Sequence, residues 1–261
     1  MRNIKILLEY DGSRYDGWQS QPANKNSITV QEKLEDVLSK MEEETMEVIG
    51  GARTEAGVHA YGQIANFKTK SEKKLYEIKH YLNRYLPRDI AVREVWEVPE
   101  RFHSVFNAKA FSYVYKITTG EVASVFERKY NYYSFDELNV SAMKKAAKVM
   151  VGKHDFKSFS DNKRMKKSTE REIMELEVSS EINAISIRIK ADDFWPHMAR
   201  ILVGTLIEVG RGNLKAEDIL SIMESKDREK AGPTAEAKGL FLQEIFYQEE
   251  ILFFPFQYLL Q

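Results

Sequence analysis

The chain of 261 residues contains no cysteine. Disulfides, iron–sulfur clusters, thiolate zinc sites and cysteine nucleophiles are therefore all excluded. Glycine and proline are scarce, at 13 and 6 residues, together about 7% against a usual share of roughly 12%, so long structureless segments are not expected. The five histidines, His59, His80, His103, His154 and His197, form no HxxxH or HxH pair, and no tight histidine metal site fits that scatter. Long apolar runs are also missing. Ile201–Val209 and Ile251–Leu260 fall far short of the ~20 residues that span a bilayer. Glu9 and Asp11 interrupt the N-terminus before a signal-like core can form. A soluble, cytoplasmic protein is expected. Neither sign of charge dominates, with 39 basic and 40 acidic side chains; indiscriminate nucleic-acid binding is not expected, while a local basic face stays open. No GxxxxGK[ST] loop, no GxGxxG after a strand and no GxSxG elbow occurs, which weakens ATP, dinucleotide and α/β-hydrolase readings.

What is present is globular. Hydrophobic residues make up 43% and charged residues 30%, enough for one large core or two domains of about 130 residues each. Ile4, Ile6, Leu8 and Tyr10 alternate with polar neighbours as a strand does. Thr29-Val-Gln-Glu32 reads as a capping box before Val30, Leu34, Val37, Leu38 and Met41 at helical spacing. Strands are predicted over Met46–Ile49 and Gln63–Lys68, then a helix opened by Ser71 and stopped by Pro87, then a strand over Ile90–Val98. The order β-α-β-β-α-β is that of the ferredoxin-like split βαβ unit. It recurs: a strand with Phe111, Tyr113, Tyr115 and Ile117, a helix marked by Val140 to Met150, strands over Glu172–Ser179 and Ile182–Lys190, an apolar helix Met198–Val209, a helix over Ala216–Ser225, and a strand over Leu240–Tyr247. The expected fold is α/β (α+β). Two ferredoxin-like βαββαβ halves, residues 1–105 and 106–261, share a largely antiparallel central sheet, with helices on one face and a cleft between the halves. Pro99–Asn107 would link them.

Four segments could carry chemistry. Gly50-Gly-Ala-Arg-Thr-Glu-Ala-Gly-Val-His-Ala60 holds Arg53 and Glu55 in a glycine-flanked loop, which can approach a ligand closely or can be a solvated turn. Phe111, Tyr113, Tyr115 and Ile117 share one sheet face; core is the default reading, and stacking of one ring on a base is the functional one. Lys163, Arg164, Lys166 and Lys167 cluster in a basic stretch that is either an exposed loop or a phosphate-binding arm. Arg200 lies in an apolar helix, where it reaches solvent along its stem or pairs with a carboxylate across the cleft.

Taken together these segments resemble the tRNA pseudouridine synthase A family. The resemblance runs through Leu8-Glu-Tyr-Asp-Gly12, Gly17-Trp-Gln19, Thr29-Val-Gln31, Arg53-Thr-Glu-Ala-Gly-Val-His-Ala60, Gln63 and Phe67. It continues with Phe102-His103, Phe106, Ala108, Tyr113, Tyr115, His154-Asp-Phe156, Ser158-Phe159 and Lys167-Ser-Thr-Glu-Arg171. It closes with Met198-Ala-Arg200, Val203-Gly204, Gly210-Arg-Gly212, Pro233-Thr-Ala235 and Lys238-Gly-Leu240. It implies a symmetric homodimer that grips structured RNA, and uridine isomerisation in the anticodon stem-loop of tRNA without metal or organic cofactor. By the same resemblance Glu55 is the catalytic acid, Arg53 contacts it beside the flipped base, Arg200 pairs with it and Tyr113 stacks on the uracil. Thr54 and Leu240 complete the substrate site, and Lys163, Arg164, Lys166 and Lys167 meet RNA.

The sequence also departs from that pattern. The family carries an aspartate, RTDAGVHA, where this chain has Glu55. The added methylene pushes the carboxylate outward by ~1.3 Å unless the loop retracts, and a misplacement of ~1 Å can lower a rate ~10²-fold. A working enzyme with an adapted loop, an impaired RNA-binding paralogue and a position altered by design are all compatible with this. Many family members carry arginines where this chain has Val105, Phe111, Ser112 and Val114, which would thin the cations at the cleft mouth and suits a different target such as a ribosomal RNA hairpin. An enzyme of free nucleotides is the least supported reading, because no phosphate-cradling loop is present.

Overall fold

The computed structural model describes residues 1–248 except 22, 25 and 162–167. The basic cluster Lys163, Arg164, Lys166 and Lys167 and the apolar run Ile251–Leu260 lie outside the described residues. The first half comprises β1 (Arg2–Tyr10), α1 (Val30–Glu42), β2 (Ile49–Gly50), β3 (His59–Thr69), α2 (Leu75–Tyr85) and β4 (Ile90–Val98). The second comprises β5 (Ala108–Thr118), β6 (Tyr132–Tyr133), α3 (Val140–Met150), β7 (Gly152–Asp155), β8 (Glu170–Glu181), β9 (Ala184–Ala191), α4 (Met198–Gly210), α5 (Asp218–Ser225) and β10 (Leu240–Tyr247).

All the strands join one sheet, ordered β4-β1-β3-β10-β5-β9-β8-β7, with β2 on β3 and β6 on β5. Each half repeats the same arrangement. With the short strands β6 and β7 of the second half set aside, its first strand lies between its last and third, and its second flanks the third. Pairing is antiparallel except for β3–β10 and β5–β6. The halves meet at the parallel β3–β10 seam, where Phe241 faces His59 and Leu242 faces Ala60. Because β2 is only two residues long and covers Asn66 and Ala65, the other end of the β3 edge is open to β10. Gly62 permits the approach: a Cβ there would sit 2.3 Å from the Gln243 carbonyl oxygen.

Period-2 alternation places Ile4, Ile6 and Leu8 beside Phe67, Ala65 and Gln63, and Tyr113 and Tyr115 beside Ile189 and Ile187. This face merges with the inner faces of the helices into one core, while Ala110, Val114 and Phe241, buried on the opposite face, stay outside it. The Thr29–Glu32 capping box forms as its residues predict. Several predicted boundaries shift. The strand read over Met46–Ile49 shrinks to β2 at Ile49–Gly50. Ser71 does not open α2; it caps a turn ahead of it, and the helix begins at Leu75 behind Lys74 and Glu77. β3 starts at His59 rather than Gln63, so the loop between β2 and β3 spans only residues 51–58 and lies over the seam.

Candidate active site

The loop 51–58 is fixed from beneath. Gln63 holds Ala52 by both backbone groups, accepting its N–H at 3.1 Å and donating to its carbonyl at 2.8 Å. The Thr54 hydroxyl lies 2.7 Å from the Tyr10 hydroxyl, and the Thr54 carbonyl accepts the Trp18 N–H at 3.0 Å. The Val58 N–H donates to the Glu55 carbonyl across a turn whose third residue, Gly57, has φ +77°. That conformation is one L side chains avoid. Gly50 gives way to the indole of Trp18, which a Cβ there would strike at 2.1 Å.

From that turn Glu55 projects toward the N-terminus of α4. Its Oε2 accepts Arg200 Nη1 at 2.6 Å, and its Oε1 accepts the backbone N–H of His197, the cap residue of α4, at 2.8 Å. A carboxylate at a helix N-terminus meets both unpaired N–H groups and the positive end of the dipole. Arg200 is held in turn: its Nε donates to the Ala235 carbonyl at 2.6 Å and its own carbonyl accepts the Ala235 N–H at 3.1 Å. Gly204 lets this segment lie on α4, since a Cβ there would stand 1.7 Å from the Pro233 carbonyl oxygen. The extra methylene of Glu55 is thus accommodated with both carboxylate oxygens hydrogen-bonded.

Glu55 faces a cavity of about 380 Å³ lined also by Arg53, Thr54, Tyr113, Phe194 and Leu240, within the usual size range of small-molecule sites. Tyr113 is 9% exposed, packs edge-on to Phe194 at 5.0 Å, and its hydroxyl has no hydrogen-bond partner among the described residues. Burial first, and then the neighbouring Tyr10 phenol and the carboxylates of Glu55 and Asp193, push its phenol well above the ordinary tyrosine value, so it stays neutral across physiological pH. Leu240 and Thr54 are buried.

The sequence-predicted residues Glu55, Arg200, Tyr113, Thr54, Leu240 and Arg53 therefore converge, with one correction. Arg53 lines the cavity but is exposed and forms no ion pair with Glu55; Arg200 alone supplies the guanidinium. Of the positions lacking the family's arginines, Val105 and Phe111 do line the cavity. Ser112 and Val114 are buried on the opposite face of β5, so cations there would not reach the cleft. Sequence reasoning missed the wall formed by Asp193, Phe194 and Trp195, whose only signal was its place just before the Arg200 helix. Among the described residues no three His, Asp or Glu side chains come together as metal ligands.

The site is thus an arginine-bound carboxylate in a pocket beside the seam where the two halves share one sheet. The tRNA pseudouridine synthase family matches residues 6–107 and 146–248, and the chain belongs to it. It is 46% identical to tRNA pseudouridine synthase A 2 of Bacillus anthracis over 245 residues, 94% of this chain and 99% of that one. Identity is 46% to tRNA pseudouridine synthase A of Bacillus sp. (strain KSM-64), over 95% of this chain and all of that one. It is 44% to tRNA pseudouridine synthase A 1 of Clostridium tetani, with the same coverage.

Proposed function

We propose that this protein isomerises uridine to pseudouridine in tRNA, with Glu55 as the acting carboxylate. The observation that carries this reading is the Glu55 side chain held between Arg200 and the start of α4, at the edge of a pocket walled by Tyr113 and Leu240. The reaction breaks the N1–C1′ bond, turns the uracil and joins C5 to C1′; the C5 proton is released and N1 gains one. The target nucleotide must first leave its stack, which costs a few kcal/mol. Arg53, exposed and without an ion-pair partner among the described residues, is available to occupy the vacated stack or to meet a phosphate. Tyr113 supplies an aromatic face for the base, worth ~1–3 kcal/mol. The two donors on Glu55 hold its charge in place before substrate arrives, which is how preorganised sites lower barriers.

The same reading includes an anticodon stem-loop target, a homodimer and a cytoplasmic location, which suit a family acting on an extended RNA. No helix among the described residues is long and apolar enough to cross a membrane. The test is tritium release from tRNA carrying 5-³H-uridine. The protein as it stands releases tritium and Glu55→Ala does not; equal release from the two would refute the proposal. Parallel use of a ribosomal RNA hairpin separates the tRNA target from the alternative one.

A further inference from the structure

The groups that hold Glu55 do not end at Arg200 and His197; they form a closed circuit. His197 Nδ1 lies 2.6 Å from Asp161 Oδ2. Asp161 Oδ1 accepts Arg228 Nε at 2.8 Å, and Arg228 Nη2 donates to the Thr234 hydroxyl at 3.0 Å. Thr234 adjoins Ala235, whose carbonyl binds Arg200, which returns to Glu55. Each corner is anchored separately. Arg228 Nη1 also donates to the Gly232 carbonyl. Asp161 follows a turn pinned by the Ser158 hydroxyl on the Ile222 carbonyl at 2.6 Å, with Phe156 and Phe159 fully buried.

His197 is the strained corner. Its backbone has φ +64° and ψ −4°, a left-handed conformation that a residue with a side chain adopts at a cost and keeps only where its surroundings impose it. The N–H it directs at Glu55 Oε1 depends on that conformation. Two contacts hold the ring: Asp161 on Nδ1, and Glu55 Oε2 at 3.5 Å from Nε2. At 2.6 Å against 3.5 Å, the Asp161 contact is the stronger of the two. Burial works against the charge on Asp161, yet hydrogen bonds from His197 and Arg228 outweigh it and hold its carboxyl below the ordinary aspartate range.

We infer that Asp161 is a positioning residue for the reaction: by clamping the His197 ring it fixes the left-handed cap of α4 and so aims the His197 N–H at the carboxylate of Glu55. Asp161 is not one of the cavity-lining residues, and its side-chain partners are His197 and Arg228 rather than Glu55. Its side chain is 40% exposed, and exposed ion pairs contribute little to stability. The clamp is therefore visible in rate rather than in melting. This inference rests on the isomerase reading above and deepens it.

The experiment compares the parent, Asp161→Asn, Arg228→Lys and Glu55→Asp, and the double variant Asp161→Asn with Glu55→Asp, by tritium release and by thermal melting. Asp161→Asn lowers kcat about tenfold, leaves KM for tRNA within about twofold, and moves Tm by no more than about 3 °C. Arg228→Lys shifts kcat the same way by a smaller factor. In the Glu55→Asp background the shorter carboxylate draws back from the His197 N–H, and the Asp161→Asn effect shrinks to within about twofold. An unchanged kcat in Asp161→Asn, an equal fall in both backgrounds, or an effect confined to KM overturns the inference while leaving the isomerase reading intact. A parent without turnover overturns that reading instead. The inference is then judged by the His197 amide resonance: a downfield proton that moves upfield in Asp161→Asn supports it, and an unmoved one rejects it.

Discussion

Two pockets flank the two ends of the same loop, and different groups hold the loop at each. The pocket before Glu55 is held by charge: a carboxylate, a guanidinium and a helix terminus, with a neutral tyrosine opposite. The second, of about 540 Å³, lies around His59 where the loop re-enters the sheet. Here the loop end is packed among rings, with charged side chains around them: His59 stacks on Phe241 at 4.6 Å, Phe241 on Tyr61 at 4.8 Å, and Tyr130 lies tilted 5.3 Å from His59. His59 is 1% exposed. Its Nδ1 accepts the Gly12 N–H at 3.0 Å, and its Nε2 meets the Lys129 carbonyl at 3.2 Å. Asp11 Oδ1 sits 3.2 Å from Nδ1, and Asp11 Oδ2 accepts the Tyr130 hydroxyl. At one end α4 aims two donors at the Glu55 carboxylate beside an open cavity; at the other the imidazole of His59 is buried among its own partners.

The sharpest way to break this contrast is Glu55→Gln. It keeps the shape, removes the charge and leaves Arg200 facing a neutral amide. Tritium release should fall ~10³-fold or more, about 4 kcal/mol of barrier, with Tm nearly unchanged. His59→Ala should do the reverse. It removes a buried ring and its hydrogen bonds and costs about 2–3 kcal/mol of stability in chemical denaturation, while the folded fraction retains most of its kcat. A His59→Ala protein of unchanged stability but lost turnover would erase the distinction between the pockets. Gly57→Ala sits between the two, since the turn beneath Glu55 requires φ +77°. It should cost about 1–2 kcal/mol and lower kcat as well.

The smallest effect is in pH. Burial holds the imidazole of His59 below its ordinary value of 6.5, against the opposing pull of Asp11. Below pH 6.5 the unfolded chain binds a proton at this position that the folded chain resists. Stability should therefore be complete above that pH and decline as pH falls toward the lowered folded value. His59→Gln should flatten that decline. A decline equally steep in His59→Gln would place its source elsewhere.

Much of this was legible in the sequence wherever a period or a local signal exists. Ile90–Val98, read from its alternation, and Leu240–Tyr247 form strands with those bounds, and Thr29 and Glu32 cap α1 as read. Two local signals misled. Ser71 reads as a helix cap but serves a turn, and the His59-Ala-Tyr-Gly62 stretch reads as loop because its partner on β10 lies some 180 residues away. Arg200 stood open between solvent and a carboxylate, since helical spacing says nothing about what crosses a cleft. The circuit through Asp161, His197, Arg228 and Thr234 was not legible at all. Its members come from segments joined only by the fold, and no spacing rule links a turn after β7 to the start of α4.

The position of β10 has a consequence in time. This strand is the latest in chain order among the described residues, yet it lies in the middle of the sheet, between β3 and β5, and Leu240 forms part of the cavity wall. A growing polypeptide that has already emerged through α4 still lacks the piece that unites its halves. The cavity wall is therefore completed only after every other strand of the sheet has been made, when β10 closes the central gap.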